Sequence, residues 1–315
     1  MKIIFFGTSS FGLPALEAIH QSRHELLAVV STPNKPRGRN LKIQSSPVKQ
    51  WSAERKVPTF DFFKENPSQI LRILKDLNSD VFVVISFGVI LDKEMLRLPR
   101  LAPLNVHASL LPKYRGASPM QAAILNQDLQ TGVTVMRMAE RLDAGDILLK
   151  KKIVLDLKET IGSLEKKLST LAASALLEAL DTLESGEAKW AAQTESETSY
   201  TKKIMKSDGK IDWNESANTI EAKVRAYLGW PGTFFFFHSK RILVSKVKLG
   251  FASRVARAGT VLEVSEDNGI LVATAEKTAL WLEELQMEGK KLMGWKEFIR
   301  GFPLKSGDVF MGDPF

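Results

Sequence analysis

Short apolar runs alternate with helically spaced segments through the first half of the chain. KIIFFG, from Lys2 to Gly7, is continuously apolar and ends in glycine, the pattern of a strand buried on both faces. FGLPALEAIHQS follows, with Leu13, Leu16 and Ile19 at helical spacing. Further strands are predicted at ELLAVVST from Glu25, VFVVIS from Val81, LNVHAS from Leu104 and VTVMRMA from Val133. SPVKQWSAERK predicts a helix with Ser46 as its N-cap and Pro47 at its first position, and PSQILRILKDL predicts another from Pro67. This alternation predicts an α/β fold: an open, mostly parallel sheet with helices on both faces. Functional groups in such sheets gather at the carboxyl ends of strands, here after Gly7, after Ser86 and around His107.

The texture changes in the second half. A long helix is expected from Thr160 to Glu187, with Leu164, Leu168, Leu171, Leu176, Leu177, Leu180 and Leu183 along it. The following stretch is polar, and its middle, TESETSYTKK, reads as a linker or extended arm. IDWNESANTIEAKVRAYLGWPG reads as a helix ending in a Gly-Trp-Pro-Gly turn. Short strands with close turn signals come next, among them the Asp-Asn-Gly hairpin at Asp267 to Gly269, and they predict a small β-barrel. The expected division is therefore a domain over 1–188, a linker over 189–207 and a barrel domain over 208–315.

Composition narrows the chemistry. The absence of cysteine excludes a disulfide framework and cysteine-based metal or redox sites, and the four histidines offer little for a histidine-based one, so no metal is expected. No apolar run approaches the roughly 20 residues that span a bilayer, and the first strand starts at Lys2 with no leader pattern before it. A cytoplasmic protein without membrane contact is expected, and nothing demands more than a monomer. The formal charge of +8 suits a polyanionic partner, because Lys and Arg displace counterions from a phosphate backbone. GTSSFG after the first strand is not G-x-G-x-x-G, which argues against a nicotinamide site.

Candidate chemistry concentrates in LNVHASLLPKYRGASP, Leu104 to Pro119. Strand alternation sends Asn105 and His107 to the same side, so an amide and an imidazole stand side by side at the end of a sheet strand. Leu110, Leu111 and Pro112 then form an apolar turn, and Tyr114-Arg115-Gly116 breaks away from it. Downstream, ERLDAGDIL carries Asp143 in a loop between two strands. Spacing alone leaves open whether Asp143 meets His107, and a lone strand histidine is also compatible with a satisfied core group.

NVHASLLPKYRGASP followed by GVTVMRMAERLDAGD resembles the signature of the folate-dependent formyltransferases. That resemblance implies a Rossmann-like catalytic sheet followed by an OB-like barrel. It implies that Asn105 and His107 stabilise the oxyanion of a tetrahedral intermediate and that Asp143 positions His107 and supports its charge. It implies 10-formyltetrahydrofolate as co-substrate, bound near Phe87, Gly88, Val89, Ile90 and Leu91 and near the loop of Ser109, Leu110, Leu111 and Pro112. Backbone groups would do much of that recognition, and Gly7-Thr8-Ser9-Ser10 would line the acceptor side.

The basic loop STPNKPRGRNLKIQSSPVKQW, the YLGWPGT turn and the LQMEGKKLMGWKEFIRG ending resemble the branch of the family whose acceptor is an initiator methionyl-tRNA, over essentially the whole chain. Asn34 stands where that branch has Asp, and Asn40-Leu41 where it has Gly-Lys. The implied tRNA contacts are Arg39, Lys42, Lys206, Lys246 and Lys248. Competing expectations are a formyltransferase acting on a nucleotide-linked amino sugar and a non-catalytic RNA-binding relative.

Overall fold

The computed structural model describes residues 1–37, 42–63, 67–252 and 255–311. The chain divides into two compact units. The first comprises Met1–Pro119, Gln130–Val154 and Leu164–Thr201; the second comprises Met120–Leu129, Leu155–Ser163 and Lys202–Phe315.

The elements run β1 (Lys2–Gly7), α1 (Leu13–Gln21), β2 (Glu25–Ser31), β3 (Lys35–Arg37), β4 (Lys42–Gln44), α2 (Pro47–Glu54), β5 (Thr59–Asp61), α3 (Pro67–Leu77) and β6 (Val81–Ile85). They continue with α4 (Lys93–Leu96), β7 (Ala102–His107), β8 (Arg115–Gly116), α5 (Pro119–Leu125), β9 (Gln130–Arg137), β10 (Ile147–Val154), α6 (Ile161–Glu184) and β11 (Tyr200–Thr201). The remainder is α7 (Ala217–Ala226), β12 (Thr233–Phe237), β13 (Lys240–Phe251), β14 (Val261–Ser265), β15 (Gly269–Ala273), β16 (Thr278–Met287), β17 (Met293–Gly294) and α8 (Trp295–Gly301).

The first unit is built on a seven-stranded sheet in the order β10-β9-β7-β6-β1-β2-β5. Strands β1, β2, β5, β6 and β7 are parallel, whereas β9 and β10 are antiparallel to their neighbours. The continuous apolar runs explain the burial. Ile4 and Phe6 of β1 pack with Ile70 and Leu74 of α3 on one face. Ile3 and Phe5 are equally buried on the other face, where Gly12 lies against the Phe5 ring. On that side the Ser169 hydroxyl of α6 donates to the Phe11 carbonyl. The predicted Ser46 cap forms, its hydroxyl accepting from the Lys49 amide at 3.2 Å.

Strand order reverses at β1: the chain lays β2 and β5 to one side and later β6, β7 and β9 to the other. The carboxyl ends of β1 and β6 are adjacent there, with Gly7 opposite Ile85. Asn105 of β7 aligns with Val84 of β6 and with Met136 of β9. The three loop regions expected to matter therefore share one edge of one sheet.

The second unit is an antiparallel sheet in the order β12-β13-β16-β15-β14, with β17 paired to β16. The terminal segment joins its two edges. Met311 exchanges both backbone hydrogen bonds with Phe236 of β12, and Val261 of β14 donates to the Asp308 carbonyl. This tail closes the barrel and removes its open edges. Phe310 fills the inside, stacked on Phe235 at 4.3 Å between ring centroids and 2 % exposed. We predict that Phe310→Ala costs about 3–5 kcal/mol in denaturant unfolding, because it leaves a cavity and loosens the closing segment together.

Candidate active site

Strand β7 delivers the first two candidate residues as alternation requires. Asn105 is half-buried, and among the described residues its side-chain amide has no hydrogen-bond partner. His107 is 7 % exposed, and its Nε2 lies 2.9 Å from the Tyr114 carbonyl. A carbonyl can only accept, so Nε2 carries the proton. The other ring nitrogen, Nδ1, faces Asp143 Oδ2 at 3.7 Å, beyond hydrogen-bond reach but close enough for strong attraction in the charged form. Asp143 is 8 % exposed, and its Oδ2 accepts the Gly116 amide at 2.8 Å. The structure thus brings Asp143 to His107, which spacing had left open.

Two residues of this constellation sit in the left-handed backbone region, Tyr114 at φ 63° and Asp143 at φ 50°. That conformation is uncommon outside glycine, especially for a bulky aromatic. Glycine is required beside each. At Gly116, φ is 113° and a Cβ would come 2.3 Å from the Thr201 carbonyl oxygen. At Gly145 a Cβ would come 1.8 Å from the Arg137 carbonyl oxygen.

The loop after β7 is pinned from beneath by Thr134 of β9. Its hydroxyl donates to the Ser109 carbonyl at 2.7 Å and accepts the Leu111 amide at 3.1 Å. Ser109 is fully buried, with its own hydroxyl on the Lys113 carbonyl. Leu111 packs with Met136 and Ile147, Pro112 is buried, and Leu110 is half-buried. After β6, Phe87 and Leu91 point into the core and Val89 packs against it, whereas Ile90 is 82 % exposed. Gly88 has φ 71°, and a Cβ there would meet nothing. The Phe87, Leu91 and Leu111 side chains are thus committed to packing, which leaves backbone groups and Ile90 to face a ligand. Thr8 donates to the Ser86 carbonyl at 2.7 Å, tying the loops after β1 and β6 together.

Sequence reasoning missed the segment that follows α6. Within the stretch expected as a linker, residues 191–201 pack on the first unit as a strap around the candidate site. Ala191 exchanges two backbone hydrogen bonds with Ile147. The Gln193 amide nitrogen donates to the carbonyls of Asp143 and Gly145, both at 2.8 Å. Ser199 accepts the Tyr114 amide on its hydroxyl and the Arg115 amide on its carbonyl. Tyr200 and Thr201 form β11 alongside β8.

The strap also supplies the partners of Arg115, a fully buried guanidinium. Its Nε donates to Gln193 Oε1 at 3.0 Å, its Nη2 to Glu195 at 3.0 Å and its Nη1 to the Tyr200 hydroxyl at 3.2 Å. Burial opposes the charge of Arg115, but the hydrogen bonds to Glu195 and Tyr200 outweigh it and raise its pKa. In return the hydrogen bond from Arg115 holds the Glu195 carboxyl below the ordinary carboxylate range.

The residues expected to hold tRNA are less uniform. Arg39 lies outside the described residues, and Lys42 opens β4. Lys206 and Lys248 are exposed. Lys246 is exposed but paired with Glu283 at 3.0 Å. Among the described residues, no helix is long and apolar enough to cross a membrane.

Comparison with known proteins agrees with this architecture. A family model described as formyl transferase matches residues 1–180, and one described as formyl transferase, C-terminal domain, matches 203–303. A methionyl-tRNA formyltransferase of Clostridioides difficile is 40% identical over 98% of this chain and 99% of its own length. One from Legionella pneumophila is 38% identical over 95% of each chain. Among solved structures, the sugar 3N-formyl transferase WlaRD superposes with a TM-score of 0.68 at 21% identity, covering 92% of this chain and 99% of that one. HypX from Aquifex aeolicus gives a TM-score of 0.62 at 17% identity, covering 99% of this chain and 50% of that one. The two crystallographic neighbours share the fold; the close, full-length relatives place this chain in the methionyl-tRNA formyltransferase family.

Proposed function

We propose that this enzyme transfers the formyl group of 10-formyltetrahydrofolate to the α-amino group of initiator methionyl-tRNA, giving the N-formylmethionyl-tRNA used to start translation. The observation that carries this reading is the full-length similarity to methionyl-tRNA formyltransferases joined to an intact Asn105, His107 and Asp143 constellation.

The chemistry follows from what those groups can do. The neutral amine attacks the formyl carbon, a new C–N bond forms, and negative charge grows on the formyl oxygen. The Asn105 amide and the Nδ1–H of a protonated His107, whose Nε2–H is held by the Tyr114 carbonyl, serve that oxygen, and one such donor is worth on the order of 3 kcal/mol. Asp143 compensates the positive imidazolium from the Nδ1 side. The bond from the formyl carbon to the folate nitrogen then breaks. The proton lost by the amine is returned to that nitrogen, with His107 as the relay. The pterin lies along the backbone of Phe87 to Leu91 and Ser109 to Pro112, where the exposed Ile90 supplies an apolar contact.

In this reading residues 1–188, with the strap packed on them, carry the chemistry, and the barrel over 208–315 holds the tRNA. Arg39, Lys42, Lys206 and Lys248 contact tRNA phosphates or the acceptor end; Lys246 takes part once it leaves Glu283. Such contacts position the tRNA without reading its sequence.

Two outcomes are expected. Given labelled formyltetrahydrofolate, the pure protein formylates methionyl-tRNA, and an amino-sugar nucleotide offered in parallel stays unmodified; label found only on the sugar refutes the assignment. Asn105→Ala, His107→Ala and Asp143→Ala each lower kcat by about 10²–10³-fold, while tRNA affinity in filter binding stays as in the parent.

A further inference from the structure

We infer that Gln193 is a positioning residue for the reaction: oriented by the buried Arg115, it fixes the Asp143 loop and through it the His107–Asp143 geometry. This rests on the reading of Asp143 as a reaction residue.

The Gln193 amide makes three short hydrogen bonds at once, with Met136 Sδ a longer neighbour at 3.9 Å. Its nitrogen donates to the carbonyls of Asp143 and Gly145, and its oxygen accepts from Arg115 Nε. The orientation is not arbitrary. Turned over, the amide would face an N–H donor with its own N–H and two carbonyls with its oxygen, leaving all three contacts repulsive. Arg115, whose Nε cannot accept, therefore dictates which end of Gln193 meets the loop. Glu195 and Tyr200 in turn hold the guanidinium plane.

The contacts converge on the two residues with unfavourable backbone. Asp143 has its carbonyl held by Gln193 and its carboxylate held by the Gly116 amide, next in the chain to Arg115. Tyr114, whose carbonyl accepts the hydrogen bond from His107 Nε2, has its own amide held by Ser199 of the strap. Each partner of the imidazole is thus a left-handed residue that the strap restrains. A positional error near 1 Å at such a site costs about 10²-fold in rate. Gln193 meets the Asp143 loop through its backbone, and its other partners, Arg115 and Met136, hold no substrate role, so its loss is expected in turnover rather than in substrate affinity.

The experiment is a double-mutant cycle in steady-state formyl transfer, using Gln193→Glu and Asp143→Ala. Gln193→Glu keeps the acceptor for Arg115 but replaces the donor with an oxygen facing both carbonyls. Alone it is expected to lower kcat about 10–100-fold, with KM for both substrates within about twofold. In the Asp143→Ala background its effect shrinks to less than about threefold, because a residue acting through Asp143 has nothing left to position. Parental kcat in Gln193→Glu, or losses that multiply in the double variant, overturn the inference while leaving Asp143 in its role. Parental kcat in Asp143→Ala overturns the underlying reading and this inference with it. Should Gln193→Glu fail to fold, Glu195→Ala, at a side chain 57 % exposed, provides the second arm. It is expected to lower kcat about 3–10-fold at unchanged KM, and unchanged kcat contradicts the proposal. Glu197→Ala, exposed on the same strap, serves as the control at parental activity.

Discussion

A guanidinium with no exposed surface is the constraint around which the site is organised. Desolvating the Arg115 charge is expensive unless its fork is filled. Glu195, Gln193 and Tyr200 fill it, and all three lie within eight residues of one polar segment. The segment therefore cannot leave the first unit without stranding Arg115. Because Tyr114 and Gly116 flank Arg115, the same requirement fixes the carbonyl and the amide that hold His107 and Asp143.

The sheet contributes the other half of the geometry. Parallel strands buried on both faces leave only their carboxyl ends for polar chemistry. β7 ends on His107, with Asn105 two residues earlier on the same side, and β9 continues toward the loop of Asp143. A carboxylate and an imidazole, each less than 10 % exposed, then face one another in a region of weak screening. In the proposed reaction, which builds negative charge on a formyl oxygen, that oxygen would meet an imidazole of fixed position beside an amide with unused donors.

Much of this was legible before any coordinates. Continuous apolar runs gave β1, β2 and β6; Ser46-Pro47 gave the start of α2; alternation placed Asn105 beside His107. Asp143 was legible only by family resemblance, because 36 residues and a reversal of strand direction separate it from His107. The strap escaped reading for a different reason. Thr194 to Thr201 carries no apolar period, and a polar stretch held by side-chain hydrogen bonds looks the same in sequence as a solvated linker. Arg115 offered no signal either, since a buried arginine and an exposed one are the same letter. Closure of the barrel by residues 308–311 was likewise invisible, since it depends on one backbone segment meeting two strand edges at once.

The central claim is that the strap, acting through Arg115, holds the backbone that holds His107 and Asp143. Amide hydrogen exchange followed by NMR reads that backbone directly, comparing the parent protein with Glu195→Gln. Exchange is predicted to quicken at the amides of Tyr114 and Gly116, which donate to Ser199 and Asp143, while the strand amides of Leu104 to His107 keep their protection. Unchanged exchange at Tyr114 and Gly116 would contradict the account.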